Sequence, residues 1–171
     1  MKLIEAMKRV KANKEKIADL QGKIGMHCAN LEHETPLYGS ETGTRVKEWL
    51  QSCTDLSQEN VRLLVAIQRT NLSTRVPISL NGITVTKTIA EWVWRRREYA
   101  KLDGETWGKL TDRGLKEGFM NSSTGQPFQV KIVRHFDPVY RDGQVAMYRS
   151  EPHDIDAALE ITNAVTDLIE S

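Results

Sequence analysis

Leu3-Ile4-Glu5-Ala6-Met7-Lys8-Arg9-Val10-Lys11-Ala12-Asn13-Lys14-Glu15-Lys16-Ile17-Ala18-Asp19-Leu20-Gln21-Gly22-Lys23-Ile24 is the stretch whose reading decides the fold. Leu3, Val10, Ile17 and Ile24 recur every seven residues, with Ala6, Asn13 and Leu20 between them. That spacing draws one apolar stripe along a helix and predicts a heptad seam over about three repeats. Lysines and glutamates hold the other positions, as a solvated face requires. Asn13 interrupts the seam, where a polar residue fixes register or oligomeric state at a cost in stability. Either a helix of the same chain or a second chain can cover such a seam. Leu3, Val10, Ile17 and Ile24 are therefore candidate interface residues.

The pattern fades near residues 27–31 and gives way to a loop containing Pro36, Gly39 and Gly43. A second helical stripe follows from Arg45 to Asn71, built from Trp49, Leu50, Cys53, Leu56, Leu63, Leu64 and Ile67. Asn60 interrupts it as Asn13 interrupts the first, which predicts paired polar side chains across an antiparallel helical hairpin. Beyond it, Asn81-Gly82 lies between β-branched runs, the strongest local signal for a β-hairpin. A third helix is expected from Ile89 through Trp92, Val93, Tyr99 and Leu102 to about Phe119, with an end or kink at Asp103-Gly104. Phe128–Val133 alternates like a strand. Asp137-Pro138 breaks it, and Asp142-Gly143 predicts a turn into a partner strand at Gln144–Tyr148. Ser150 is expected to open the last helix, with Pro152 in its first turn.

The fold predicted is mainly α (α+β): an elongated helical hairpin or bundle of about four helices with one or two small β-hairpins, in a single domain over 1–171. Its blocks are 1–75 (helical hairpin), 76–121 (hairpin and third helix), 122–150 (β-hairpin) and 151–171 (C-terminal helix).

With 24 basic and 23 acidic residues, the net charge is +1. That balance argues against a dedicated nucleic-acid binder and against an acidic disordered chain. No apolar run approaches the roughly 20 residues of a membrane span, and the first residues lack a signal-peptide core, so a cytoplasmic protein is expected. Two cysteines, Cys28 and Cys53, make no disulfide framework.

Few residues suggest chemistry. Glu32, His33 and Glu34 lie near His27 and Cys28, and zinc is the metal such a set would take. A loop histidine between carboxylates is more often solvated, and no metal or cofactor is expected. Trp92, Trp94, Arg95, Arg96 and Arg97 form a basic aromatic cluster. It suits a protein interface, a packed core with arginines paired to neighbouring acids, or base stacking on single-stranded nucleic acid. Arg69, Thr70, Asn71, Ser73 and Thr74 gather at a helix end, as helix capping or as a polar ligand site. No nucleophile–base pair has a recognisable spacing, and no phosphate loop is present, so no enzyme is expected.

Met1-Lys2-Leu3-Ile4-Glu5-Ala6, the segment Ile67–Thr74, and Asn81-Gly82-Ile83-Thr84-Val85-Thr86 ahead of Arg95-Arg96-Arg97 carry a resemblance. In order and spacing over most of its length, the chain resembles the septicolysin-like family of small helical bacterial proteins of unknown function. The resemblance implies a helical fold and supplies no site residues. The family tends to be acidic, whereas this chain is neutral, and its region from Gly104 to Tyr148 is longer than the family's.

A chain spent on amphipathic stripes is expected to associate, with itself or with a larger assembly. A capsid accessory or tail-associated subunit of a viral particle fits that expectation. A ligand-binding protein or enzyme using Arg69–Thr74, and a nucleic-acid module using Trp92–Arg97, are the alternatives.

Overall fold

The computed structural model describes residues 1–170. The fold is mainly α, with two small antiparallel two-stranded sheets. The chain forms two compact units that alternate in sequence. The first comprises Met1–Val76, Thr88–Ala90 and the residues from Leu159 onward; the second comprises Pro77–Lys87 and Glu91–Ala158.

In the first unit, α1 (Leu3–His27) packs antiparallel on α2 (Thr42–Ser73). Leu3, Ala6, Val10, Asn13 and Leu20 are buried, as are Asn60, Ala66, Ile67 and Thr70 of α2. The predicted polar pair exists: Asn13 Nδ2 donates to Asn60 Oδ1 (3.0 Å) and to Glu59 Oε2 (2.9 Å). The heptad seam is thus covered largely by the chain's own second helix. Leu3 and Val10 are interior rather than docking residues, while Ile17 and Ile24 are half-buried. Where the helices approach the connecting loop, the rings of His27, Tyr38 and Trp49 form an edge-packed cluster with centroids 5.4–5.9 Å apart.

Residues after α5 return to this unit. Leu3 N donates to Thr166 O, Leu168 N to Met1 O, and Ile169 N to Thr70 Oγ1, each at 2.9 Å. Lys2 Nζ lies 2.8 Å from Asp167 and holds that carboxyl below its ordinary range.

The hairpin of β1 (Arg75–Leu80) and β2 (Ile83–Thr88) turns as predicted at Asn81 (φ 52°) and Gly82 (φ 80°). Both are left-handed, as a type I′ turn demands. Next come α3 (Ile89–Trp94), a π-helical turn at Arg95–Tyr99, and α4 (Ala100–Gly108). Helix stops at Gly108, well short of Phe119. Arg113 (φ 57°) and Gly114 (φ 72°) are left-handed there, incompatible with a continuing α-helix.

The strand at 128–133 is real but shorter and differently paired. β4 (Pro127–Val130) pairs with β3 (Gly118–Asn121), with Met120 opposite Phe128. The predicted partner, Gln144–Tyr148, is helical instead. α5 (Pro138–Val165) begins twelve residues before Ser150 and includes Asp142-Gly143. Asp137-Pro138 is a helix start: Asp137 Oδ1 accepts from Val139 N (2.8 Å), and proline fits the first helical position because its missing amide has no partner to lose. Gly143 costs roughly 1 kcal/mol in a helix interior, too little to break a long helix that is well capped. Pro152 therefore lies inside the helix, not in its first turn.

Candidate functional site

The most elaborate polar arrangement lies in the second unit, around Arg95. Trp92, one helical turn earlier, is 1% exposed and anchors α3. The π turn then widens the helix, with Ala100 N donating to Arg95 O, five residues back. Arg95 Nε and Nη2 meet the two oxygens of Glu151 on α5 at 2.5 and 2.8 Å, and Nη1 meets Asp103 at 2.5 Å. Its guanidinium carbon stands 5.3 Å from the centre of the Tyr148 ring. Glu151 is buried. Hydrogen bonding to Glu151 is the first cause, opposed by desolvation and helped by Asp103, that raises the Arg95 pKa. Arg96 pairs with Asp156, further along α5 and at its surface.

Gly104 allows this packing. A Cβ there would stand 3.3 Å from Tyr148 Cβ, tighter than ordinary van der Waals contact. π turns occur mainly as single insertions, often at functional positions. Here the inserted turn brings Arg95 to Glu151 while Trp94 and Tyr99 remain 58% and 52% exposed. An open groove of about 520 Å³ is lined by Lys87, Glu91, Trp94, Arg95 and Tyr99.

Glu151 and Asp103 are both engaged by Arg95, and no cluster of metal-ligating side chains occurs among the described residues. The cluster predicted at 92–97 divides by role. Trp92 is core, Arg95 and Arg96 are bound to acids of α5, and Trp94 is available at the surface, as is Arg97. No local sequence pattern links Arg95 to Glu151, fifty-six residues later. A row of acids on α5 was the available hint.

The group at 69–74 divides by role. Thr70 is fully buried, donating to Ala66 O and accepting from Ile169 N. Thr74 is the C-cap of α2, and its carbonyl accepts from Ile89 N at 3.0 Å. Arg69 is exposed and Asn71 half-buried. Capping and packing account for Thr70 and Thr74. His33, Glu32 and Glu34 are exposed in the α1–α2 loop, with Glu34 Oε2 accepting from Leu31 N.

No family model matches the chain, and no curated protein matches it. Among solved structures, it is similar to a functionally unknown conserved protein from Corynebacterium diphtheriae. The TM-score is 0.59 at 18% identity, over 99% of each chain. That likeness is one of fold. No helix among the described residues is long and apolar enough to cross a membrane.

Proposed function

We propose that this protein is a non-enzymatic assembly component that associates with itself or docks on a larger particle, of the kind exemplified by capsid accessory or tail-associated subunits of viruses. One observation carries the reading. The chain leaves 12392 Å² accessible to solvent. Two separate compact bodies of the sizes of the two units expose about 10,000 Å². The excess over that figure is about 2,000 Å² on one chain, where a specific interface takes about 800 Å² from each partner.

The exposed surface is apolar in places that matter. Phe119 (77%), Met120 and Phe128 leave both faces of the β3–β4 hairpin uncovered, although an isolated two-stranded hairpin is marginal in water. Trp94 and Tyr99 stand out beside the Arg95 network, and exposed aromatics on a rigid support are typical interface anchors. A nucleic-acid role draws little support, because Arg95 and Arg96 are neutralised by Glu151 and Asp156.

Light scattering during sizing, over a concentration series, tests the reading. The expected mass is a multiple of 19.4 kDa. A monomer at every concentration up to about 1 mM excludes self-association of even millimolar affinity.

A further inference from the structure

We infer that the cavity between the α4–β3 loop and the β4–α5 loop binds the phosphate group of a small phosphomonoester that carries a compact apolar part. The site lies within the second unit, shares no residue with the Arg95 network and does not depend on the assembly reading. The cavity holds about 330 Å³, at the small end of the range for ligand pockets. Lys109, Arg113 and Arg134 line it with one carboxylate, Asp112, an excess of two positive charges before any contribution from His135. The chain as a whole has a net charge of only +1, so this excess is a local concentration. Asp112 serves Arg134: its two oxygens accept from Nε and Nη2, each at 2.7 Å. That geometry leaves Nη1 of Arg134 uncommitted, and Lys109 and Arg113 form no ion pair among the described residues. Hydrogen bonding from Arg134 holds the Asp112 carboxyl below its ordinary range, and the charge of Arg141 adds to the effect, so a further arginine contributes to the field here.

The walls are tied in place by the chain itself. Leu115 N donates to Asp112 O at 2.9 Å, closing a tight turn in which Arg113 (φ 57°) and Gly114 (φ 72°) are both left-handed. A left-handed arginine is costly and persists only where its surroundings impose it. Arg113 N also donates to Thr111 Oγ1 (3.2 Å), and Arg141 Nη1 donates to Leu110 O, which joins this loop to α5. The Asp112–Arg134 pair joins it to the second loop. Loops held in this way lose little freedom on binding. The surplus charge selects the ligand. A phosphomonoester carries about −1.5 to −2 at pH 7 and offers three acceptor oxygens, so one group answers both surplus charges. A monocarboxylate would answer one. Arginine's planar fork and lysine's ammonium both suit phosphate. Leu115, Val133 and Phe136 line the same cavity, the first two 56% and 77% exposed, and the organic part of an ester would cover them. Inorganic phosphate would leave them in water.

Titration with phenyl phosphate, followed by amide NMR and calorimetry, tests the site. The amides of residues 109–115 and 132–136 are expected to move, with phenyl phosphate binding at least about tenfold more tightly than benzoate and more tightly than inorganic phosphate. Lys109→Gln with Arg113→Asn removes two cations that make no ion pair, and asparagine accepts the left-handed backbone at 113. This double variant is expected to melt with the parent and to bind phenyl phosphate at least about tenfold more weakly. Lys109→Gln alone, which leaves the turn untouched, is expected to show a smaller loss in the same direction. Lys14→Gln with Lys16→Gln removes the same charge from exposed positions of α1 and is expected to bind as the parent does. Phosphatidylcholine vesicles containing phosphatidate separate the sources of the phosphate. Retention of the parent on them, lost in the 109/113 variant, assigns it to a lipid headgroup; phenyl phosphate binding without retention assigns it to a soluble ester, and either upholds the site. The inference is overturned by benzoate binding as tightly as phenyl phosphate, by a 109/113 variant that binds like the parent, or by no shift in either loop up to about 10 mM phenyl phosphate.

Discussion

Replacing Glu151 with glutamine keeps the side chain's size and removes its charge. Arg95 would then keep one carboxylate, Asp103, whose side chain is 46% exposed. Breaking a fully buried ion pair costs 3–5 kcal/mol, because a charge is left without compensation. Arg95 is 21% exposed and retains Asp103, so solvent and the remaining acid offset part of that cost, leaving about 2–3 kcal/mol. For a chain of this length each kcal/mol moves Tm by 2–4 °C, which gives a fall of about 5–10 °C. Arg95→Met combined with Glu151→Leu removes both charges and fills the space with apolar atoms. That double variant is expected within about 1 kcal/mol of the parent. Urea and thermal melts of the parent, both singles and the double close the cycle. If Glu151→Gln melts with the parent, or the double is as unstable as the single, Arg95 and Glu151 are not a coupled buried pair.

Asn13→Ala leaves Asn60 Oδ1 buried without that donor and is expected to cost about 1–3 kcal/mol in denaturant melts, whereas Asn13→Leu with Asn60→Leu restores most of the loss. Gly104→Ala presses on Tyr148 across 3.3 Å and is expected to lower Tm despite alanine's better helix propensity, so a rise would show that the helices part freely. Thr70→Val removes the acceptor for Ile169 N, costing about 1–2 kcal/mol and speeding exchange of that amide in NMR. The Asp167 carboxyl, lowered by Lys2, stabilises the fold above its unfolded pKa, and that contribution is lost as pH falls through the depressed folded value. NMR titration should place it below 3.8, and Lys2→Met should return it toward 3.8.

The sequence makes the α1–α2 hairpin legible because both stripes are long and periodic, and the two interrupting asparagines meet across it. It also makes the Asn81-Gly82 turn legible, because positive φ at two successive residues restricts the choice of side chain. The start of α5 is harder. Asp137-Pro138 breaks a strand and begins a helix equally well, and Asp142-Gly143 resembles a turn although a helix capped at Asp137 runs through it. The π turn at Arg95–Tyr99 leaves no local signature: its geometry depends on Glu151 and Tyr148, which are distant in sequence. Nor does periodicity reveal which of several exposed stripes a chain will cover by itself. Leu3 and Val10 are sheltered, whereas Val61 and Leu72 are not.

The segment beyond α5 hydrogen-bonds to Met1, Leu3 and Thr70, so residues made late complete a layer made early. On a ribosome, α1 and α2 must wait while more than eighty intervening residues emerge, with Leu3 lacking the Thr166 carbonyl that later holds its amide. During that interval the hairpin's greasy edge is open to any neighbour. Nascent chains translated side by side on one message would therefore meet while their first two rods are still unfinished.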